Sequence, residues 1–349
     1  MLMQENVPLA PMTTLQVGGP ARYFVQPNTI AEVSDAVNEA SSRGWPLFVL
    51  GGGSNLVVAD AGWPGMVLRV GIRGIEQRRE NRKWLFDAGA GEEWDRFVAF
   101  AVERDCAGLE CMSGIPGSVG GTPVQNVGAY GQEASETIEN VQVLDLKDGQ
   151  IRELCNPSCG FQYRTSIFNT SEKGRYIILR VTFALRTGGR PHIEYTDLKK
   201  YFDGRTGVPS LLETREAVRQ IRSRKAMLIT PGDEDCRSAG SFFKNPVLTS
   251  NQYQDLQERA VGMKLEIPSY PALSAQHKVS AAWLVEHSGF AKGYTRGAVG
   301  ISRKHALAIV NRGGATAADV VALKDEIQRG VSDSFGIELM PEPVFVGFE

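Results

Sequence analysis

Apolar positions in this chain fall into short runs broken by glycine and proline, and their period changes from one segment to the next. Thr29 and Glu32 stand at the spacing of a capping box, and Ile30, Val33, Ala36, Val37 and Ala40 then recur at helical intervals up to a stop at Gly44. Trp45 to Leu50 reads as a short buried strand running into Gly51-Gly52-Gly53-Ser54-Asn55. Leu56 to Val58 and Met66 to Val70 read as strands beyond that turn. The opening unit is therefore expected as helix, strand, glycine turn, strand. Lys83 to Asp87 reads as a strand before a helix that carries Trp94, Phe97, Val98, Ala101 and Val102 on one side.

Residues 111 to 131, CMSGIPGSVGGTPVQNVGAYG, have no period at all. A stretch that long without elements, and poor in charge, is expected to be a functional loop. Val141 to Leu146 and Ile151 to Leu154 flank Lys147-Asp148-Gly149-Gln150 as a hairpin. Tyr176 to Leu185 is the clearest strand, with Ile177, Leu179, Val181, Phe183 and Leu185 expected to face one way. After about 190 a loop-rich segment leads to a basic helix ending in Arg219, Arg222, Arg224 and Lys225. The charged loop PGDEDCRSAG then precedes an expected strand from Ser241 to Leu248. Helices are expected at 250–261, 279–288 and 316–335, and strands at Ala306 to Val310 and in the C-terminal LMPEPVFVGFE. Soft boundaries near 72 and near 215 give three pieces, 1–72, 73–215 and 216–349.

Composition narrows the class. The chain has 349 residues, is 42% hydrophobic and carries 38 Lys+Arg against 40 Asp+Glu, a formal net charge of −2. That balance argues against a nucleic-acid partner held by bulk electrostatics. No apolar run reaches the length of a membrane helix, and the N-terminus lacks the basic and apolar regions of a secretory signal. Five cysteines, with no C-x-x-C, read as reduced thiols in a cytoplasmic protein with no metal site. A monomer is expected, since no apolar helix face stands out.

Two glycine-rich segments carry the candidate chemistry. Gly51, Gly52 and Gly53 would let backbone approach a ligand closely and offer amides to an anion. The turn ends in neither Gly-Lys-Ser/Thr nor a G-x-G-x-x-G helix start, so it is not a common nucleotide fingerprint; a plain glycine hairpin remains open. Ile115 to Gly121 offers a second set of small residues and free amides, with a surface Ω-loop as the alternative. Two such loops in neighbouring α+β units suit a dinucleotide with a pyrophosphate and a flat ring.

The strand–GGGSN turn, IPGSVGG followed by QNVGAYGQE, CGFQYRTSIF at 159–168, SAGSFFKNP at 238–246 and PEP at 341–343 occur in one order along nearly the whole chain. Together they make the chain resemble the UDP-N-acetylenolpyruvoylglucosamine reductases, FAD enzymes of bacterial peptidoglycan precursor synthesis. The resemblance implies an α+β fold: a two-part FAD-binding region of the vanillyl-alcohol-oxidase (PCMH) type and a C-terminal α+β substrate-binding domain. The two FAD-binding parts would be 1–72 and 73–215. The third, 216–349, would close over the sugar nucleotide and return its C-terminal segment, about 336–349, to the flavin. Gly51, Gly52, Gly53, Ser54 and Asn55 would hold the pyrophosphate. Gly117, Ser118, Gly121, Asn126, Gly128 and Ala129 would line the ring system. Neither loop contains a histidine, which fits non-covalent FAD.

The implied reaction uses NADPH as co-substrate and reduces an enol ether conjugated to a carboxylate. An enolate-like charge needs a cation or hydrogen bonds, and then a proton. Arg164 matches the family arginine for the first role, Ser241 the proton donor, and Glu342 a glutamate at the reacting centre, expected to hydrogen-bond near Arg164 or Ser241. Tyr195 matches the tyrosine loop of the type I subgroup. Lys225, Asn245, Tyr130 and Tyr270 resemble substrate-holding positions. His305 is expected to be a hydrogen-bonded strand histidine without a catalytic role, and the 230–237 loop is longer and more acidic than the family form. Two other readings stay open on the residues: a small-alcohol or hydroxy-acid oxidase on the same FAD fold, and a module that only binds a sugar nucleotide.

Overall fold

The computed structural model describes residues 2–80, 83–271 and 276–348. The chain divides into two compact units: Met1–Val7, Ala21–Gly53 and Pro64–Leu228 form the first, and Pro8–Pro20, Ser54–Trp63 and Ile229–Glu349 the second. The chain runs through the expected boundary at 72 within one unit, while 8–20 and 54–63 of the expected first piece belong to the other. The glycine turn straddles the division, Gly53 in the first unit and Ser54 in the second.

In the first unit, helix Ile30–Ser42 begins at the capping box read from the sequence. Thr29 Oγ1 accepts the Glu32 N–H at 3.2 Å, and the Glu32 carboxylate accepts the Thr29 N–H at 3.2 Å. Gly44, at φ 63°, ends it. Val33, Ala36 and Ala40 pack with Val25, Met66 and Leu68 in one core. A four-stranded sheet runs in the order Met3–Pro8, Pro20–Val25, Trp63–Arg69, Leu47–Leu50. The last two strands are parallel, with Leu47 opposite Met66. Parallel neighbours need a crossover connection. Here the connection includes strand Leu56–Val58, which leaves this sheet and pairs in parallel with Val344–Val346 in the second unit's fold. Helix, strand, glycine turn and strand form in the expected order, and that pairing corrects only the alternative of a plain glycine hairpin.

A larger sheet follows the order Gln150–Cys155, Ile138–Asp145, Tyr176–Thr187, Lys83–Gly89, Ile75–Glu80. Helix Trp94–Val102 buries all five of the residues expected on its inner side. Trp94 is 1% exposed and donates its indole N–H to Met112 O at 3.1 Å, which satisfies the polar end of a buried ring. The long strand departs from its expected single face. Pairing with Ile138–Asp145 shifts between Gln142 and Val143, so Ile178 faces Val143 while Arg180 faces Gln142, and Leu179 is the extra residue. Ile177 and Leu179 consequently join the core with the first helix, while Val181, Phe183 and Leu185 join the core with Trp94.

Helix Leu211–Arg224 starts at a second capping box, Ser210 with Glu213. Its basic residues do not form one solvated face. Asp95 receives Arg215 at 2.6 and 3.0 Å and Arg219 at 2.6 Å, and Arg222 is 5% exposed. Burial alone would raise the Asp95 carboxyl, but the hydrogen bonds from Arg215 and the Gly114 N–H outweigh it and hold the group below its ordinary range.

The second unit is built around helix Ala317–Phe335. Thr316 and Asp319 cap it, and the Asp60 carboxylate accepts the Ala317 and Ala318 N–H groups at 2.8 and 3.0 Å, where a negative charge suits a helix start. Val320, Leu323, Ile327, Val331 and Phe335 pack with Leu15, Val17, Val57 and Phe242. Asn311, 4% exposed, donates to Leu15 O and Gln16 O and so ties the N-terminal stretch to this core. Helices Ser250–Gly262 and Ala281–His287 complete the expected set. The strand expected from Ser241 to Leu248 is confined to Val247–Leu248, and that expected at 306–310 is Ile309–Asn311.

Candidate active site

The two glycine-rich segments of the first unit meet backbone to backbone. A Cβ on Gly52 would lie 2.6 Å from Gly117 C and 2.8 Å from Ser118 N, and nearer still to Gly117 Cα. No side chain fits there. A Cβ on Gly51 would meet Ser118 Oγ at 3.3 Å. The second loop is fixed from below: Trp94 N donates to Gly117 O, Val119 N to Glu92 O and Gly120 N to Ala90 O. Gly121 N turns back on Ser118 O. The amides of 119–121 are therefore engaged by the protein, contrary to the expectation that this stretch offers them freely. What the two loops present is a narrow backbone surface with very small side chains, which fits close approach by a flat or phosphorylated ligand.

The following segment is held by a buried asparagine. Asn126, 1% exposed and at φ 44°, donates to Glu133 Oε2 at 2.7 Å and Gln162 O at 3.1 Å, and accepts the Ser135 N–H at 3.0 Å. Its side chain is thus a clamp between two loops. Gly128 and Ala129 pair with Glu133 and Gln132. Arg164 reaches this hairpin, its Nη2 donating to Gly128 O at 2.9 Å. It stands in a two-residue turn closed by Gln162 and Thr165, which exchange N–H···O bonds of 2.9 and 3.0 Å. Its φ of 54° is unusual for a long side chain. Such conformations persist only where surrounding contacts enforce them, and they concentrate at functional sites. Asn169 supplies one contact, donating to Arg164 O at 3.2 Å.

In the second unit, Ser241 lies on an irregular strand-like run rather than in a sheet. Phe242 N donates to Leu307 O at 2.7 Å, Lys244 N to Met340 O at 2.9 Å, and Phe243 bridges Pro341. The Ser241 hydroxyl stands 3.0 Å from His305 Nε2. Glu342 is bound to the same run by its backbone: its N–H donates to Phe242 O at 2.9 Å. Asn55 grips the segment from the other side. Its Nδ2 donates to Glu342 O at 3.2 Å, and its carbonyl accepts the Val344 N–H at 2.9 Å. Ser241, His305, Glu342 and Asn55 therefore belong to one connected network.

Comparison with known proteins decides the family. Residues 21–154 match an FAD binding domain, and residues 231–346 match the UDP-N-acetylenolpyruvoylglucosamine reductase, C-terminal domain. The UDP-N-acetylenolpyruvoylglucosamine reductase of Thermobifida fusca is 45% identical, covering 98% of both chains. That of Streptomyces coelicolor is 44% identical over 98% of this chain and 90% of its own. The chain belongs to the UDP-N-acetylenolpyruvoylglucosamine reductase family. Among solved structures, the reductase of Thermus caldophilus matches with a TM-score of 0.66 at 28% identity, covering 99% of this chain and 100% of that one. The fold is accordingly the α+β arrangement of the family, an FAD-binding region with a reductase-specific C-terminal domain, and the chain is an FAD-dependent oxidoreductase.

The remaining residues expected from the family pattern are spread over both units. Tyr130, 8% exposed and at φ 50°, meets Tyr195 edge to face at 5.3 Å between centroids. Burial pushes the Tyr130 hydroxyl up. Lys225 pairs with Asp197 at 2.6 Å; burial alone would lower it, but the carboxylate outweighs that and holds it above its ordinary value. Asn245 accepts the Ala281 N–H at 2.9 Å and starts a helix, a structural task alongside any substrate contact. Tyr270 pairs with Lys278 through its backbone, and its side chain lies outside the described residues.

Sequence reasoning passed over three groups. Arg222 is buried beside Tyr130, donates to Met227 O at 2.6 Å and has an Nε with no hydrogen-bond partner among the described residues. Burial lowers its pKa. Its place on a helix rich in arginine concealed it. Asp235 is 3% exposed in a loop whose acidity reads as solvated. His305 was set aside as a strand histidine, whereas it stands in a turn before the strand and faces Ser241. Among the described residues no His, Cys, Asp or Glu group has metal-holding geometry, and no helix is long and apolar enough to cross a membrane.

Proposed function

We propose that this chain reduces the enol-ether double bond of UDP-N-acetylglucosamine enolpyruvate to give UDP-N-acetylmuramate, with NADPH as reductant, in cytoplasmic peptidoglycan precursor synthesis. The observation that carries the reading is the Ser241 network: a hydroxyl fixed by a histidine, on a run bound to the Glu342 segment, inside the domain that matches this reductase family. A module that only binds nucleotides has no use for it.

FAD, when bound, supplies a hydride carrier between NADPH and the substrate. The chain's own contribution divides by residue. Gly51, Gly52, Gly53, Gly117, Ser118, Gly121, Gly128 and Ala129 would line the cofactor, their small size allowing close approach. The touching glycines at 52 and 117 support this, because any Cβ would force the loops apart. Asn126 acts through the clamp it makes, and Ser54 and Asn55 continue the cradle. Hydride addition to the terminal alkene carbon leaves negative charge on the neighbouring carbon and its carboxylate. The Arg164 guanidinium stabilises that charge. Ser241 then gives its proton to the carbanion carbon, and Glu342 positions the reacting group. Lys225 is a point charge suited to the diphosphate, with Tyr130, Tyr195, Asn245 and Tyr270 holding the rest.

The test is anaerobic rapid mixing. NADPH should bleach the flavin absorbance, and the enol ether should restore it with formation of the saturated ether. If a small alcohol bleaches the flavin while the enol ether fails to restore it, the chain is an oxidase on the same fold and the proposal falls.

A further inference from the structure

A serine hydroxyl holds its proton firmly through neutral pH, so Ser241 needs a neighbour that aims the hydroxyl and steadies the oxygen left behind. His305 is that neighbour by distance, its Nε2 standing 3.0 Å from Ser241 Oγ across 64 residues of sequence. The turn that carries His305 is also well anchored. Ser302, fully buried, accepts the N–H groups of Lys304 and His305 on its Oγ at 3.0 and 3.3 Å. Ala308 N closes the turn on His305 O at 3.1 Å, and Ser302 N on Ala308 O at 2.9 Å. The same turn supplies the Leu307 carbonyl that receives Phe242 N. Serine and histidine are therefore tied twice, once through backbone and once through side chains.

The acidic loop completes the support. Asp235 accepts the Arg303 N–H on Oδ2 at 3.2 Å, and Asp233 pairs with Lys304. Both act on the two residues just before His305, so the acidity of this loop falls on the turn that carries it. A histidine doing nothing but filling space would not require contacts on its turn from a serine and two aspartates.

We infer that His305 is a positioning residue for Ser241: its Nε2–H donates to Oγ, so that the serine's own hydrogen points to the acceptor. The inference rests on Ser241 being the proton donor. In the step itself the Ser241 O–H bond breaks as a C–H bond forms at the carbanion carbon. The resulting alkoxide is held by the Nε2–H and is reprotonated from water. The imidazole stays neutral throughout.

Two measurements on the FAD-loaded protein test this. The chain has four histidines, so deletion by His305→Gln assigns the His305 nitrogen resonances in a 15N-histidine spectrum. The Nε2–H tautomer is expected, and Ser241→Ala should shift its Nε2 resonance. In rapid mixing, His305→Ala and His305→Phe should leave bleaching by NADPH unchanged and slow reoxidation by the enol ether about 100-fold, the usual cost of a misplaced reacting group. His305→Gln, whose amide can donate from the same place, should recover most of that loss. Phenylalanine performing as well as glutamine, or a resonance unmoved by Ser241→Ala, would overturn the inference. Wild-type protein that the enol ether does not reoxidise removes the functional reading and this inference with it, a result visible before any variant is made.

Discussion

The glycine loops of the first unit and the serine run of the second build their sites by opposite means. At Gly52 and Gly117 everything depends on backbone touching backbone, and chemistry enters only through what is missing. Around Ser241 the backbone is tied down at Phe242, Lys244 and Glu342 so that side chains can be aimed. The first arrangement selects a ligand by shape, the second by the position of protons and charge. Substitutions should therefore fail differently. Damage to the loops should empty the protein of flavin, and damage to the serine run should leave it yellow and slow.

Arg164 sharpens the contrast, since it sits in the first unit yet is assigned a chemical task. Arg164→Ala should retain flavin and its reduction by NADPH, while reoxidation by the enol ether falls roughly 100- to 1000-fold, the cost of removing a group that stabilises transition-state charge. Flavin lost on purification would instead make it part of the cradle. For Gly52→Ala, crowding at the loop contact should cost about 1–3 kcal/mol, roughly 10- to 100-fold in flavin affinity, read as lost visible absorbance after dialysis. Wild-type occupancy would show that the two loops part without penalty. The smallest effect belongs to a brace at the start of the second glycine-rich segment, where Asp95 also accepts the Gly114 N–H. Asp95→Asn should lower unfolding stability by about 2 kcal/mol at neutral pH by weakening charge-assisted hydrogen bonds to Arg215 and Arg219. Because the folded carboxyl is held below its ordinary 3.8, this contribution is complete above that value. It fades as pH falls through the lower, folded value. Denaturant unfolding of wild type and variant at neutral and acid pH should show the two converging at acid pH.

Local signals in the sequence were read well where the cause was local. The Thr29 capping box, the inner face of Trp94–Val102 and the Lys147–Gln150 hairpin all depend on neighbours a few residues away, and each formed as expected. The failures have long-range causes. Leu56–Val58 is a strand in either reading, but its partner is Val344–Val346, and no local pattern encodes that choice. The alternation at Tyr176–Leu185 was read as unbroken because a one-residue bulge at Leu179 leaves no mark in composition. The strand expected from Ser241 to Leu248 forms only at Val247–Leu248, because the Phe242 and Lys244 amides go to a turn and to the C-terminal segment. In the candidate site, the motifs name Ser241 and Glu342, and the structure ties their segments together through the Glu342 N–H to Phe242 O bond. The motifs could not show that Asn55 reaches Glu342 across 287 residues, or that His305 faces Ser241.

The most direct test of the account is Ser241→Ala, followed through both halves of turnover without oxygen. Bleaching by NADPH should proceed at the wild-type rate, and recovery of the colour with enol ether should slow by roughly 100- to 10,000-fold, the range for a lost general acid. Recovery at the wild-type rate would contradict the assignment of Ser241 as the donor, and with it the chemical role given to the serine network.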